Sequence, residues 1–326
     1  MNFRKVGLAI GGVCLTLFGH ALPVLAQDYP SRPVRMVVGF PPGGPTDVLA
    51  RFLGQKVADG IGQPVIVENR PGASVTIAAN HVAKAAPDGY TLFFTPSAHA
   101  GNATLYSKLP YDTLKDFAPI VALASTPVVI IVSGSSKYRS MKDFLSDARA
   151  RPGKLNYGAA GGGGGTTNIA FEIFKSQLKL DVVSVNYKGS AQSMPAVMSG
   201  EVDISFDTIG SSMGPIRAGK IRALAVTSPK RASVLPDVPT LTEDTIPGFD
   251  VVGWFGVLAP AGTPQNVIQL LNREFVQVLS LQDMRERMLS LGLEPLGGTP
   301  VEFGRMIETD VVRYGEVIRR LGLKAD

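Results

Sequence analysis

The chain has 326 residues, of which 45% are hydrophobic and 18% charged, with one cysteine and a formal charge of +5. That length supports a large core and ordinarily divides into two domains. So small and scattered a positive excess excludes the basic stripe that nucleic acid requires, and a single cysteine excludes a disulfide framework.

The chain opens with a leader. MNFRK supplies two positive charges, VGLAIGGVCLTLFG an apolar core, and VLA a small-residue cleavage site, the pattern of a secretory signal peptide. Residues 1–26 are therefore expected to be removed after Ala26. The apolar run is too short to span a bilayer comfortably, and HALPVLAQ follows it. Val13 before Cys14, where a small residue would be needed, argues against lipidation. Cleavage removes Arg4 and Lys5 with no acidic residue, leaving +3, and takes Cys14 away. The mature chain then has no thiolate nucleophile and no cysteine metal site. No second apolar run approaches transmembrane length.

Short β-branched runs alternate with helical patterns from there on. VRMVVGF predicts a strand, residues 47–60 a helix, PVIVEN a strand, 75–86 a helix and GYTLFFT a strand. A second series runs through PVVIIVS, a helix at 140–150, LNYGAA, a helix from about 166, VVSVNY, a helix at 190–199, VDISFDT and IRALAVTS. Alternation of this kind predicts two α/β units, each a parallel sheet wrapped by helices. No flexible linker separates them, so VALASTPVVIIV and VVGWFGVLAP are expected to cross between the units as stiff strands. The tail is helical: Val267, Leu271, Phe275 and Val278 share one face, as do Phe303, Met306, Tyr314, Val317 and Leu321. With no sheet of its own, the tail is expected to pack on the first unit.

Between the first strand and helix stands FPPGGPTD, with three prolines and two glycines. Proline removes a donor and stiffens the turn, while glycine permits close backbone approach, so the helix's first N–H groups are left open. In the second unit, YGAAGGGGGTTNIAFEIF places five glycines before a helix that opens with Thr166, Thr167 and Asn168. A glycine loop feeding a helix N-terminus suits an anion. The P-loop lysine is absent, as is a dinucleotide fingerprint with its ribose acid. Two such loops, one per unit, would face each other across a cleft and grip the ends of a dicarboxylate. Asp47 is either a first-turn aspartate favouring the helix dipole or a ligand contact; Asp207, ending VDISFD, would supply an acceptor or order water. Phe40 and Trp254 or Phe255 either line the apolar part of the cleft or pack the hinge. Catalytic machinery is hard to assemble: His81 and His99 have neither a metal-binding partner motif nor a nucleophile elbow to serve, and both read as structural.

YPSRPVRMVVGFPPGGPTD, VIVENRPGA, KAAPDGYTL, VDISFD, GKIRALAVTSPKRASVLPDVPTL and PGFDVVGWFGVLAPAGTP together resemble the extracytoplasmic solute receptors of the tripartite tricarboxylate transporter system, the Bug-type receptors. The resemblance is collinear over essentially the whole mature chain. It implies an α/β, two-lobe periplasmic binding protein fold of type II, with crossing hinge strands and C-terminal helices packed on the first lobe. The lobes are expected at 27–126 with 250–326, and at 127–249. It also implies a carboxylate held by backbone amides and ordered water, with no catalytic residue, no cofactor and no metal. The ligand set expected in the first lobe is Phe40, Pro41, Gly43, Gly44 and Asp47, joined by Ser74, Thr76 and Ser97. In the second lobe it is Gly163, Gly164, Gly165, Thr166 and Asn168, then Tyr187, Lys188, Gly189 and Asp207. Arg70 is the one guanidinium held open as an exception. Two departures fall near the ligand: Ser74, Val75 and Thr76 stand where the family commonly continues with glycine and asparagine, and 168–174 replace the usual HLAGELF. The implied partners are a small carboxylate and the permease subunits of the transporter, with the receptor a monomer in the periplasm. The rivals are a periplasmic sensor for a signalling system, which would share the pocket, and an exported hydrolase or lyase, which would need a nucleophile–base pair or a metal.

Overall fold

The computed structural model describes residues 29–160, 165–187 and 189–325, so the leader, Gly163, Gly164 and Lys188 lie outside the described residues. The first half runs β1 (Val34–Val38), α1 (Pro45–Ile61), β2 (Val65–Asn69), α2 (Thr76–Ala83), β3 (Thr91–Pro96) and α3 (Ala98–Leu105). β1 lies parallel between its neighbours, with Val34 opposite Val65 and Arg35 opposite Thr91. Val34, Met36 and Val38 pack with Leu49, Leu53 and Val57 of α1. Val37 points the other way, into a core with Val75, Ala78 and Val82. Burial on both faces is why VRMVVGF reads as a run and not as an alternation.

The long strand β4 (Phe117–Ser133) follows, then α4 (Met141–Ala150), β5 (Asn156–Ala160), α5 (Thr166–Gln177), β6 (Val183–Tyr187), α6 (Ser190–Ser199), β7 (Ile204–Thr208), α7 (Ile209–Arg217), β8 (Ile221–Val226) and the short α8 (Leu241–Asp244). β5 lies parallel between β6 and β7. Each half thus has the expected parallel sheet, and antiparallel strands join the two.

β4 makes that join with β9 (Val252–Pro260). Phe117 stands opposite Pro260 and Pro127 opposite Val252; from Val128 onward β4 pairs instead with β7 on one edge and β8 on the other. At about 3.3 Å per residue the strand is roughly 55 Å long, enough to serve both sheets. It is buried through most of its length but half-exposed at Ser125 and Thr126, where it passes between the halves. Thr126 faces Gly253 on β9, where an added Cβ would stand 2.2 Å from Thr126 Oγ1. A glycine is needed there for the two strands to cross so closely.

The tail begins with α9 (Gln265–Ser280), which buries the expected Val267, Leu271, Phe275 and Val278 against the first half. α10 (Gln282–Ser290) adds Met284 and Met288 to the same core. The tail also contributes a strand that sequence did not suggest: β10 (Glu294–Gly297) pairs with β4, Glu294 opposite Ser125. Four residues that include a proline and a glycine carry no readable period. The last helix, α11 (Pro300–Leu321), does more than pack on the first half. Phe303 and Ile307 enter the core around Trp254, while Tyr314, Val317 and Ile318 enter the second half's core with Phe171 and Phe174. A 22-residue helix spans about 33 Å, long enough to bridge both. Leu321, at its end, is 36% exposed and leaves the predicted stripe.

His99 belongs to the core of the first half. Its ring stacks on Tyr111 at 5.7 Å and meets Phe93 and Phe117 edge-on at 5.5 and 4.9 Å. Among the described residues neither ring nitrogen has a well-formed hydrogen bond, and burial lowers its pKa from 6.5 to about 4. The folded state therefore holds it neutral where the unfolded chain takes a proton. Its contribution is intact above pH 6.5 and is lost as pH falls toward 4, roughly 3 kcal/mol over that interval. His99→Phe should flatten the acid side of the stability–pH profile measured by urea unfolding; an unchanged slope would contradict this.

Candidate functional site

A cavity of about 720 Å³ lies between the halves, walled by residues from both and floored by the crossing strands. The first half contributes Gly39, Phe40 and Pro41 after β1, Pro71, Gly72, Ser74 and Val75 after β2, and Pro96, Ser97 and Ala98 where β3 turns into α3. The second contributes Gly165, Thr166 and Thr167 at the start of α5, Gly189 and Ser190 at α6, and Asp207 and Thr208 at the end of β7. Thr126 and Val128 of β4 and Trp254 and Phe255 of β9 complete it. Its walls thus lie largely at the C-terminal ends of parallel strands, where open α/β sheets place their ligands.

Of the residues the sequence singles out, Phe40, Pro41, Ser74, Ser97, Gly165, Thr166, Gly189 and Asp207 line this cavity, as do Trp254 and Phe255. Seven others among the described residues do not. Gly43 spends its N–H on Asp47 Oδ2 at 2.9 Å, and Gly44 O accepts from Val48 N within α1. Asp47 is 3% exposed and holds the FPPGGPTD turn together. It also accepts from Arg51 Nε at 2.9 Å and Asn69 Nδ2 at 2.8 Å, and Asn69 reaches on to Phe40 O at 3.0 Å. Arg51, then the N–H of Gly43 and the amide of Asn69, hold the Asp47 carboxyl down at about 2 against the opposing effect of burial. Thr76 is buried in the first turn of α2. Asn168 accepts from Tyr157 OH at 2.8 Å, and Tyr187 OH donates to Glu201 at 3.2 Å. Arg70 pairs with Glu68 and does not line the cavity. Gly163, Gly164 and Lys188 are outside the described residues.

The electrostatics of the wall are one-sided. Among the described lining residues Asp207 is the only ionisable one. Its Oδ1 takes three donors: Ser190 Oγ at 2.5 Å, Thr208 N at 2.7 Å and Ser211 Oγ at 2.8 Å. Those bonds pin the starts of α6 and α7. Its Oδ2 is buried without a partner among the described residues, a costly arrangement unless something completes it. Burial raises the Asp207 pKa, opposed by the serine hydroxyls and the Thr208 N–H. α3 from the first half, and α5 and α6 from the same half as this acid, all begin at the cavity wall with no side-chain cap among the described residues. Helix starts carry partial positive charge, so the described wall offers main-chain donors of the kind that suit an anion.

The halves also touch across the cavity. Ser97 Oγ and Thr166 Oγ1 share a hydrogen bond of 3.1 Å. Behind them Tyr314 OH donates to Val252 O at 3.4 Å. This hydroxyl cluster sits where Gly253 leaves room, its absent Cβ being 3.3 Å from both Ser97 Oγ and Thr166 Oγ1.

Sequence reasoning missed Pro71, Gly72, Pro96, Thr126, Ser190 and Thr208. Placing every strand-to-helix turn on one edge would have found most of them. The turn after β2 is unusual in its backbone. Ala73, Ser74 and Val75 have φ of 44°, 50° and 70°, left-handed values that cost a non-glycine residue about 1–2 kcal/mol each. The conformation is held by Asn102 Nδ2 donating to Ser74 O at 2.7 Å. Val75 is pressed onto Gly39, where an added Cβ would come within 2.6 Å of it. Ser74→Gly relieves the strain at the expense of about 0.5–1 kcal/mol of glycine's chain entropy. It should therefore stabilise the protein by about 0.5–1 kcal/mol, read as a higher denaturant midpoint; a lower midpoint would show that Ser74 makes a contact worth more than the strain.

A family model described as "Tripartite tricarboxylate transporter family receptor" matches residues 49–323. The protein BugT of Bordetella pertussis is 34% identical over 326 residues, covering 99% of each chain. Among solved structures, Rpa4515 of R. palustris with adipate is 36% identical, covers 91% of this chain and 99% of its own, and superposes with a TM-score of 0.76. MatC from Rhodopseudomonas palustris with bound malate is 33% identical, covers 89% of this chain and 100% of its own, with a TM-score of 0.71.

Proposed function

Because the chain belongs to the tripartite tricarboxylate transporter receptor family, we propose that its interlobe cavity captures a small organic acid and presents it to the permease of such a transporter. The observation that carries this reading is the convergence of three uncapped helix starts on a cavity whose only ionisable described wall residue is Asp207. Charge-assisted bonds from main-chain N–H groups hold a carboxylate without a buried arginine. Asp207 Oδ2 then takes a donor, either a ligand hydroxyl or a bridging water. Adipate and malate in the related R. palustris structures are carboxylates, and a carboxylate suits the helix starts of this cavity. As a receptor of this family it binds the acid and releases it unaltered.

We assign 27–126 and 250–326 to one lobe and 127–249 to the other. The change of β4 partners at Val128 supports this. The receptor acts as a monomer in the periplasm after removal of residues 1–26. Its family is that of periplasmic binding proteins, and among the described residues no helix is long and apolar enough to cross a membrane.

A ligand present at a hundred times its Kd stabilises the folded state by about 2.7 kcal/mol, several degrees of melting temperature for a chain of this size. A thermal-shift screen should show that rise with mono-, di- or tricarboxylates and not with neutral sugars or nucleotides. Stabilisation by sugars or nucleotides alone would refute the reading. Asp207→Ala should weaken the best acid at least tenfold, read by titration calorimetry, and an unchanged Kd would leave Asp207 only its role in pinning α6 and α7.

A further inference from the structure

A second cavity, of about 370 Å³, lies against the first and shares three of its wall residues, Thr126, Thr208 and Phe255. Its remaining walls come from Thr46 and Leu49 of α1, Gly210 and Ser211 of α7, and the turn of Leu291, Gly292 and Leu293 before β10. None of these residues is ionisable. Leu49 and Leu293 are core residues, and Phe255 rests against Phe94 with ring centroids 5.5 Å apart. At this end the two lobes meet backbone to backbone. A Cβ on Gly292 would stand 2.5 Å from Gly210 N, and one on Gly210 would stand 2.6 Å from Leu291 O. The lobes thus approach closely there without filling the space beside them.

Resting on the reading of the interlobe cavity as an acid site, we propose that the two cavities form one elongated site. Its ligand is an acid with a single polar end and an apolar body. The carboxylate sits among the helix starts of the first chamber, and the apolar end passes Phe255 into the second. Small-molecule pockets run to roughly 300–1,000 Å³. The first chamber, about 720 Å³, already exceeds what a short diacid needs, and the second adds about 370 Å³ of uncharged wall. A second carboxylate placed in that chamber would meet leucine and phenylalanine with no cation to pair it, whereas a methyl or aryl end loses nothing by leaving water.

Titration calorimetry with straight-chain monocarboxylates from butyrate to decanoate, and with dicarboxylates of matching length, tests this directly. Once the first chamber is filled, the Kd of the monocarboxylates should tighten about fourfold per added methylene, with an increasingly negative heat-capacity change. Dicarboxylates of the same length should lag behind. Thr46 is half-buried at the rim of the second chamber, and Thr46→Phe should remove the gain from length. Affinity that is flat or falling with length in the unaltered protein would overturn the proposal, as would a Thr46→Phe variant that weakens short and long acids alike. If short acids bind and longer ones gain nothing, the second chamber alone is refuted; if no acid of any length binds, the acid-receptor reading falls with it.

Discussion

The structure depends on one strand being shared. β4 belongs to both sheets, passing from β9 and β10 in the first lobe to β7 and β8 in the second. A shared strand joins the lobes covalently and through main-chain hydrogen bonds while leaving a gap beside it, and the half-exposed Ser125 and Thr126 mark that gap. β9 crosses with it, and α11 binds the back by anchoring Phe303 in one lobe and Tyr314 in the other. Because the parallel strands of both lobes end toward the gap, the turns that follow them become its walls. The cavity is a consequence of topology before any side chain is chosen for it.

Chemistry is then supplied mainly by what the walls lack. Arginines and lysines are missing from the described lining, which the starts of α3, α5 and α6 reach instead. Dipoles from helix starts are weaker than a guanidinium pair, yet they need no long side chain to be ordered on binding. The buried acid of the wall, Asp207, spends one oxygen on architecture and leaves the other without a partner among the described residues. Asp47 shows the opposite division of labour. Both of its oxygens are engaged within the first lobe, so its effect on ligand passes through the shape of the turn that carries Phe40 and Pro41.

Much of the fold was legible because periodicity and punctuation agreed. VRMVVGF, PVIVEN and VVGWFGVLAP became strands at their expected places, and the stripe of Val267, Leu271, Phe275 and Val278 is buried as its spacing predicts. That the turn after β1 and the start of α5 share one cavity was partly readable, through Phe40, Pro41, Gly165 and Thr166, whereas Gly43 and Gly44 lie off it. Individual contacts were less so. Sequence shows that Asp47 opens a helix but not that Asn69, from a different strand, fills its second oxygen. It likewise marks Gly43 as permissive without revealing that its N–H is already taken. The bridging of α11 was hidden because an apolar stripe gives a face and no address. β10 was hidden because a four-residue edge strand has no period to read.

The central claim is that opposed helix starts, one set on each lobe, hold an acid by main-chain donors inside the interlobe gap. A crystal structure of the protein with a bound acid tests it most directly. The account predicts carboxylate oxygens about 2.7–3.1 Å from N–H groups at the starts of α3, α5 or α6, with a donor reaching Asp207 Oδ2. A carboxylate paired instead with an arginine or lysine outside the gap, with the cavity holding only solvent, would contradict it.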